Sequence, residues 1–218
     1  MRNDFFFQMD NRLFYGIGAA RQLPDLMVKN GYRHVAILVD EGVADANPYF
    51  AEFLALITEA TEKVTVIRMR GSAEPDYDYL DEIAAAVRAL PKLDVLIGIG
   101  GGSTLDIAKA VAVLRTNDGP GIKYRGFDLI ENPGVASIII PSTAGTGSEV
   151  TINAPMIDRK EMRKFGINGR YLNATYAVLD AEWTASCPFS VSQSAGMDAM
   201  VHTLESFMCN NANPLTRM

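Results

Sequence analysis

The chain has 218 residues and a formal net charge of −6, with its 20 Lys and Arg residues scattered rather than clustered, so the basic stripe that a nucleic-acid backbone requires is missing and no nucleic-acid partner is expected. No stretch approaches the length needed to span a bilayer, and the apolar run near the start is too short for an export signal, which argues against a membrane partner and for a cytoplasmic location. Cys187 and Cys209 fit no metal-ligand spacing and, without an export signal, read as reduced thiols.

Residues 5–7 and 13–15 read as short strands around a turn at Asp10 and Asn11, forming a hairpin. Over residues 20–30 the apolar positions Leu23, Leu26 and Met27 recur at helical spacing, and Gly31 stands where a left-handed terminating residue is wanted. A buried-type strand follows over 34–39, a helix over 49–61, a strand over 64–69, and a helix over 77–90 ended by Pro91. Strands at 95–99, 137–140 and 177–179 and a helix at 104–114 continue the alternation. Parallel neighbours need crossover connections, so this order predicts an α/β fold, a mostly parallel sheet with helices on both faces. After Asp180 the texture changes. Ser190 and Gln193 have capping-box spacing, a helix is expected over 191–209, and residues 210–214 break it. The length suits one domain, or one domain and part of a second.

Two loops carry phosphate-binding chemistry. In Gly98-Ile-Gly-Gly-Gly-Ser-Thr-Leu-Asp-Ile-Ala-Lys109 a hydrophobic strand runs through glycines into a helix, whose free N–H groups and dipole favour an anion that glycine lets approach closely. Ser103 and Asp106 also have capping-box spacing, which leaves a merely tight turn as the alternative. Pro141-Ser-Thr-Ala-Gly-Thr-Gly-Ser-Glu149 repeats the device with hydroxyls: Thr143, Thr146 and Ser148 could donate to phosphate or ribose oxygens, or satisfy their own backbone. Serine hydrolysis is disfavoured, because the spelling is not Gly-x-Ser-x-Gly and the only histidines are His34 and His202. Asp40 ends a strand, where an acid can accept hydrogen bonds from a ribose diol and repel a 2′-phosphate, favouring NAD over NADP; a solvated turn aspartate is the other reading.

Asp198 and His202 lie four apart, on one helical face. A carboxylate and an imidazole can hold a divalent ion from one side, but a site normally takes three or four protein ligands. A hydrogen-bonded surface pair fits the same spacing.

Together these segments resemble the iron-containing (group III) alcohol dehydrogenase family. The resemblance runs from about Leu13 onward and includes Phe14-Tyr-Gly-Ile-Gly-Ala19, Asp40-Glu-Gly-Val43, Glu74-Pro75, Tyr124-Arg-Gly126 and Leu179-Asp180, together with residues 100–109, 140–151 and 195–202. It implies a Rossmann-like dinucleotide-binding domain over residues 1–185, with 186–218 as the incomplete start of a metal-binding helical domain. Gly101, Gly102 and Ser103 look like the pyrophosphate turn and Asp40 like the adenosine-ribose contact. Thr143, Thr146 and Ser148 look like cofactor-loop contacts, Asp106 like a nicotinamide-side neighbour, and Lys164 like a ribose contact. Asp198 and His202 look like the first two metal ligands, and the family's two further histidines, from its helical domain, have no counterpart in this sequence.

The implied chemistry is reversible hydride transfer between NAD, with NADP less favoured, and a primary alcohol or its aldehyde. It is assisted by a divalent Lewis acid, with iron favoured and zinc the alternative. No protein general base is assigned. A homo-oligomer is expected, with a dimer through the N-terminal hairpin as its candidate form. The scaffold reads as cut within its helical domain, so NAD binding with very weak or no turnover is expected, and an apolar face at Met197, Val201, Leu204, Phe207 and Met208 should lie uncovered. A silent nucleotide-binding fragment and a lyase scaffold like that of the dehydroquinate synthases are the alternatives.

Overall fold

The computed structural model describes residue 4 and residues 9–71 and 74–217; the strand expected over 5–7 lies outside them. β1 (Arg12–Tyr15) leads through a 3-10 turn (Ala19–Gln22) into α1 (Leu23–Asn30), which Gly31 ends at φ 67°. β2 (His34–Asp40), α2 (Glu41–Ala46), α3 (Phe50–Ala60), β3 (Lys63–Met69), α4 (Tyr77–Arg88), β4 (Val95–Gly100) and α5 (Gly102–Leu114) then alternate. The remainder is β5 (Gly126–Phe127), β6 (Ala136–Pro141), β7 (Asn153–Ala154), β8 (Ile157–Asp158), β9 (Arg163–Lys164), β10 (Ile167–Asn168), β11 (Tyr176–Leu179), α6 (Ala181–Thr184) and α7 (Phe189–Met208).

Six strands form one sheet in the order β1-β11-β6-β4-β2-β3, all pairings parallel. Both faces are covered, so the central strands read as continuous apolar runs, and every residue of β4 is buried. On one face Leu80, Ile83 and Val87 of α4 and Leu105, Ala108 and Val111 of α5 pack on Leu38, Leu96 and Ile139. On the other, Leu23 and Met27 of α1, Phe53 and Ile57 of α3 and Trp183 of α6 pack on Ile37, Ile97 and Ile138. Trp183 meets Phe53 edge to face at 5.2 Å. Each of the buried Leu, Ile, Val, Met and Phe side chains contributes about 1.5–3 kcal/mol by leaving water.

The strand order positions the site. From β2 the chain moves outward to β3 and then returns to the other side of β2 for β4. The reversal leaves a crevice beyond the carboxyl ends of β2 and β4, the place where open parallel sheets bind ligands.

Several expectations differ in detail. β4 runs on to Gly100 and α5 begins at Gly102 with Gly101 as its cap, so the capping box expected at Ser103 and Asp106 does not form: Ser103 is already inside the helix. The box at Ser190 and Gln193 fails for the same reason, because α7 starts at Phe189 with Pro188 in the cap position. Two short helices, α2 and α6, had no signal beyond their capping aspartates, Asp40 and Asp180, each of which accepts from backbone N–H groups of the first turn. β1 pairs with β11, and the expected hairpin partner over 5–7 lies outside the described residues. Of α7 only Ala195 is buried, and the face at Met197, Val201, Leu204, Phe207 and Met208 is exposed as expected.

Candidate active site

A cleft of about 1300 Å³ opens at the crevice, and its walls include Asp40, Gly101, Gly102, Ser103, Asp106, Thr143, Thr146, Ser148, Lys164, Asp198 and His202. Chain reversal at the sheet's carboxyl edge thus brings together every residue the sequence offered as a cofactor contact or metal ligand. Their individual states differ.

Asp40 is already in use on one side. Its Oδ1 accepts from the N–H groups of Gly42 at 2.9 Å and Val43 at 3.2 Å, capping α2. The carboxylate also lies against Gly71, where an added Cβ would stand 3.2 Å from Oδ2. The first turn of α5 receives no side-chain cap, so its amides are left for a ligand. Backbone packing there is close: a Cβ on Gly102 would meet Thr146 Cγ2 at 2.8 Å, and one on Gly100 would meet the Thr104 side chain at 2.7 Å. The hydroxyl loop is drawn onto the glycine turn by the Ser142 N–H, which donates to the Gly100 carbonyl at 2.8 Å. Thr143 Oγ1 is buried without a hydrogen-bond partner among the described residues, and it would lie 3.8 Å from a Cβ on Gly101. A buried hydroxyl without a partner beside uncapped helix amides fits a polar ligand that crosses the two loops.

Asp106, Ser148 and Lys109 form one buried network. Ser148 Oγ donates to Asp106 at 2.5 Å, and Lys109 Nζ lies 3.1 Å from the same carboxylate. Burial pushes the Asp106 carboxyl up and the Lys109 ammonium down, each opposed by the other's charge. Ser148, expected as a direct contact, therefore spends its hydroxyl on Asp106. Lys164, at the cleft rim, is paired with Glu74 at 2.6 Å.

Asp198 and His202 both stand on α7. His202 Nε2 lies 3.7 Å from Asp198 Oδ1, and both side chains are about half exposed, 52% and 45%. The described residues contain no group of three or more His, Cys, Asp or Glu side chains able to hold a metal ion. His34 cannot contribute, since it begins β2 at the opposite edge of the sheet and faces Asp94. Two donors therefore do not make a metal site by themselves, and no chemical step is derived through an ion. The helix that carries them is held close by Gly145: an added Cβ would stand 2.1 Å from the Ala195 carbonyl oxygen, so only glycine allows this approach.

Sequence reasoning missed Lys109, which is 1% exposed, as well as Gly145 and Glu74. Lys109 and Glu74 stood within quoted motifs, but their partners lie far along the chain. The repeated small residues around Gly145 were the one available signal.

Fold and cleft define a doubly wound α/β scaffold, with the Asp198 and His202 pair on the cleft wall. Residues 10–181 match the family model described as iron-containing alcohol dehydrogenase, and the chain belongs to that family. It is 35% identical over 205 residues to the sulfoacetaldehyde reductase of Bilophila wadsworthia, covering 94% of this chain and 52% of that protein. It is 33% identical over 211 residues to long-chain-alcohol dehydrogenase 1 of Geobacillus thermodenitrificans, covering 91% of this chain and 50% of the relative. Among solved structures it resembles the sulfoacetaldehyde reductase of Bifidobacterium kashiwanohense in complex with NAD+, with a TM-score of 0.85, 26% identity and coverage of 98% and 55%. The chain spans about half the length of the curated relatives it matches. These relatives do not favour the lyase alternative. No helix among the described residues is long and apolar enough to cross a membrane.

Proposed function

We propose that this chain is the NAD-binding part of a metal-dependent oxidoreductase that interconverts a primary alcohol and its aldehyde by hydride transfer. Residues 1–185 act as the dinucleotide domain and 186–218 begin the metal-binding domain. The observation that carries this reading is the union of the uncapped α5 N-terminus with the unpartnered Thr143 hydroxyl, at the point where the strand order reverses.

In this reading the amides of Gly102 and Ser103, reached across Gly101, hold the pyrophosphate, and Thr143 and Thr146 donate to it from the facing loop. Asp40 keeps Oδ1 on the α2 cap and offers Oδ2 to the adenosine ribose, which selects NAD over NADP by charge. Lys164 exchanges Glu74 for a ribose hydroxyl, and Asp106, held by Ser148 and Lys109, borders the nicotinamide. Bound NAD would supply the hydride acceptor for alcohol oxidation. Asp198 and His202 are the two ligands this chain brings to a divalent ion, iron favoured over zinc, whose remaining ligands lie outside the residues identified. Homo-oligomerisation, in a cytoplasmic setting, belongs to the same reading.

Two measurements test it. NADH fluorescence should titrate saturably on the purified chain, and a chain that binds no NADH contradicts the proposal. Oxidation of a short primary alcohol with NAD and added ferrous ion or zinc should be very slow or nil. Rapid turnover would show that a complete metal site exists on residues other than Asp198 and His202 alone.

A further inference from the structure

Lys109 is buried, yet the chemistry above gives it no step. Its side chain is fully enclosed at the core-facing side of α5. Nζ donates to the Asn153 carbonyl at 2.7 Å, the Ser148 carbonyl at 2.8 Å and Thr151 Oγ1 at 3.0 Å, and it lies 3.1 Å from Asp106 Oδ1. All of these are acceptors, as an ammonium requires. Three of the four come from residues 148–153, a segment without a strand ladder over 148–152 that turns through Gly147 at φ 65° and a 3-10 turn. Such a segment must satisfy its inward carbonyls somewhere, and one cation serves them together.

We propose that Lys109 is the positioning residue for the hydroxyl loop: it fastens residues 148–153 to α5 and thereby sets Thr143 and Thr146 against the glycine turn. The inference rests on the reading of the cleft as a dinucleotide site. It predicts that cofactor affinity depends on a side chain that lies behind the loop. The coupling is local, because Thr146 sits two residues before Ser148 and within 2.8 Å of a Gly102 Cβ.

The test is hydrogen exchange and NADH titration on the full chain, comparing wild type, Lys109→Met and Thr151→Val well below their unfolding midpoints. In Lys109→Met the amides of 142–153 should exchange about tenfold faster and the NADH Kd rise about tenfold, the scale of one lost charge-assisted contact. Amides of β2 and α1 should stay protected. Thr151→Val removes one acceptor from the ammonium and should give a smaller change in the same segment, about threefold. It keeps the test decisive if Lys109→Met does not fold. Unchanged exchange over 142–153 in the variants that fold overturns the proposal, as does faster exchange spread evenly through the chain. A loosened loop with unchanged Kd overturns the positioning role. If wild type binds no NADH, the cofactor reading fails, while the exchange arm still judges the clamp.

Discussion

Gly102→Val with Gly101→Ala as its partner probes the proposed pyrophosphate turn by adding carbon at two adjacent backbone positions with opposite surroundings. At Gly102 the new Cβ would stand 2.8 Å from Thr146 Cγ2, 3.1 Å from its Cβ and 3.2 Å from its Oγ1, so the loop must retreat. Overpacking of this kind costs about 1–3 kcal/mol of stability. The valine also covers the first-turn amides. Losing two hydrogen bonds to a charged phosphate, at about 1.5 kcal/mol or more each, raises the NADH Kd about a hundredfold or more. At Gly101 the nearest atom is Thr143 Cγ2 at 3.5 Å, an ordinary contact, and the backbone is at φ −76°, ψ 175°, which alanine adopts freely. Gly101→Ala should therefore keep or gain stability, by about 0.4–1 kcal/mol, and shift Kd by less than about tenfold. Urea unfolding gives the stabilities and NADH fluorescence the affinities. Equal affinity of wild type and Gly102→Val would refute the pyrophosphate assignment; a large loss in Gly101→Ala would refute the geometry of the turn.

Three further outcomes follow from individual contacts. Asp40→Asn retains an Oδ1 for the α2 cap, so stability should hold while preference for NAD over NADP falls by about tenfold, read from paired titrations; an unchanged preference removes the ribose role. Asp180 accepts from the N–H groups of Gly18 and Ala20 at 3.0 Å and Glu182 at 3.1 Å, tying the segment after β1 to the end of β11. Asp180→Ala should cost about 3–5 kcal/mol in urea unfolding, and a loss under about 1 kcal/mol contradicts that role. For Asp76, burial pushes the carboxyl up, but the Tyr79 N–H and the Arg159 guanidinium outweigh it and hold the group below its ordinary value. A depressed folded-state pKa stabilises the fold above the unfolded value, near pH 4, and that contribution is lost as pH falls through the folded value. Unfolding midpoints measured downward from pH 5 should fall less steeply in Asp76→Asn than in wild type.

Much of this architecture was legible because its signals are local. The apolar runs of β2, β4 and β6 announce strands buried on both faces, and Gly31 marks the end of α1 where it stops. Motif spelling brought Asp40, the glycine turn and the hydroxyl loop to one crevice, where the strand order places them. What was not legible depends on distant partners. A lysine in a helix reads as solvated, and Lys109 is buried only because carbonyls 39 and 44 residues away converge on it. Ser103 and Asp106 have the spacing of a cap, but the glycines let α5 start earlier and turn Asp106 inward. The two-residue strands β5, β7 and β10 pair only with one another and leave no periodicity to detect.

The most direct test of the crevice as a dinucleotide site is displacement of NADH by ADP-ribose, followed by fluorescence on the unmodified chain. ADP-ribose carries the pyrophosphate and adenosine ribose that Gly102 and Asp40 are proposed to hold, so it should displace NADH completely. Absence of saturable NADH binding, or NADH that ADP-ribose leaves in place, would contradict the assignment.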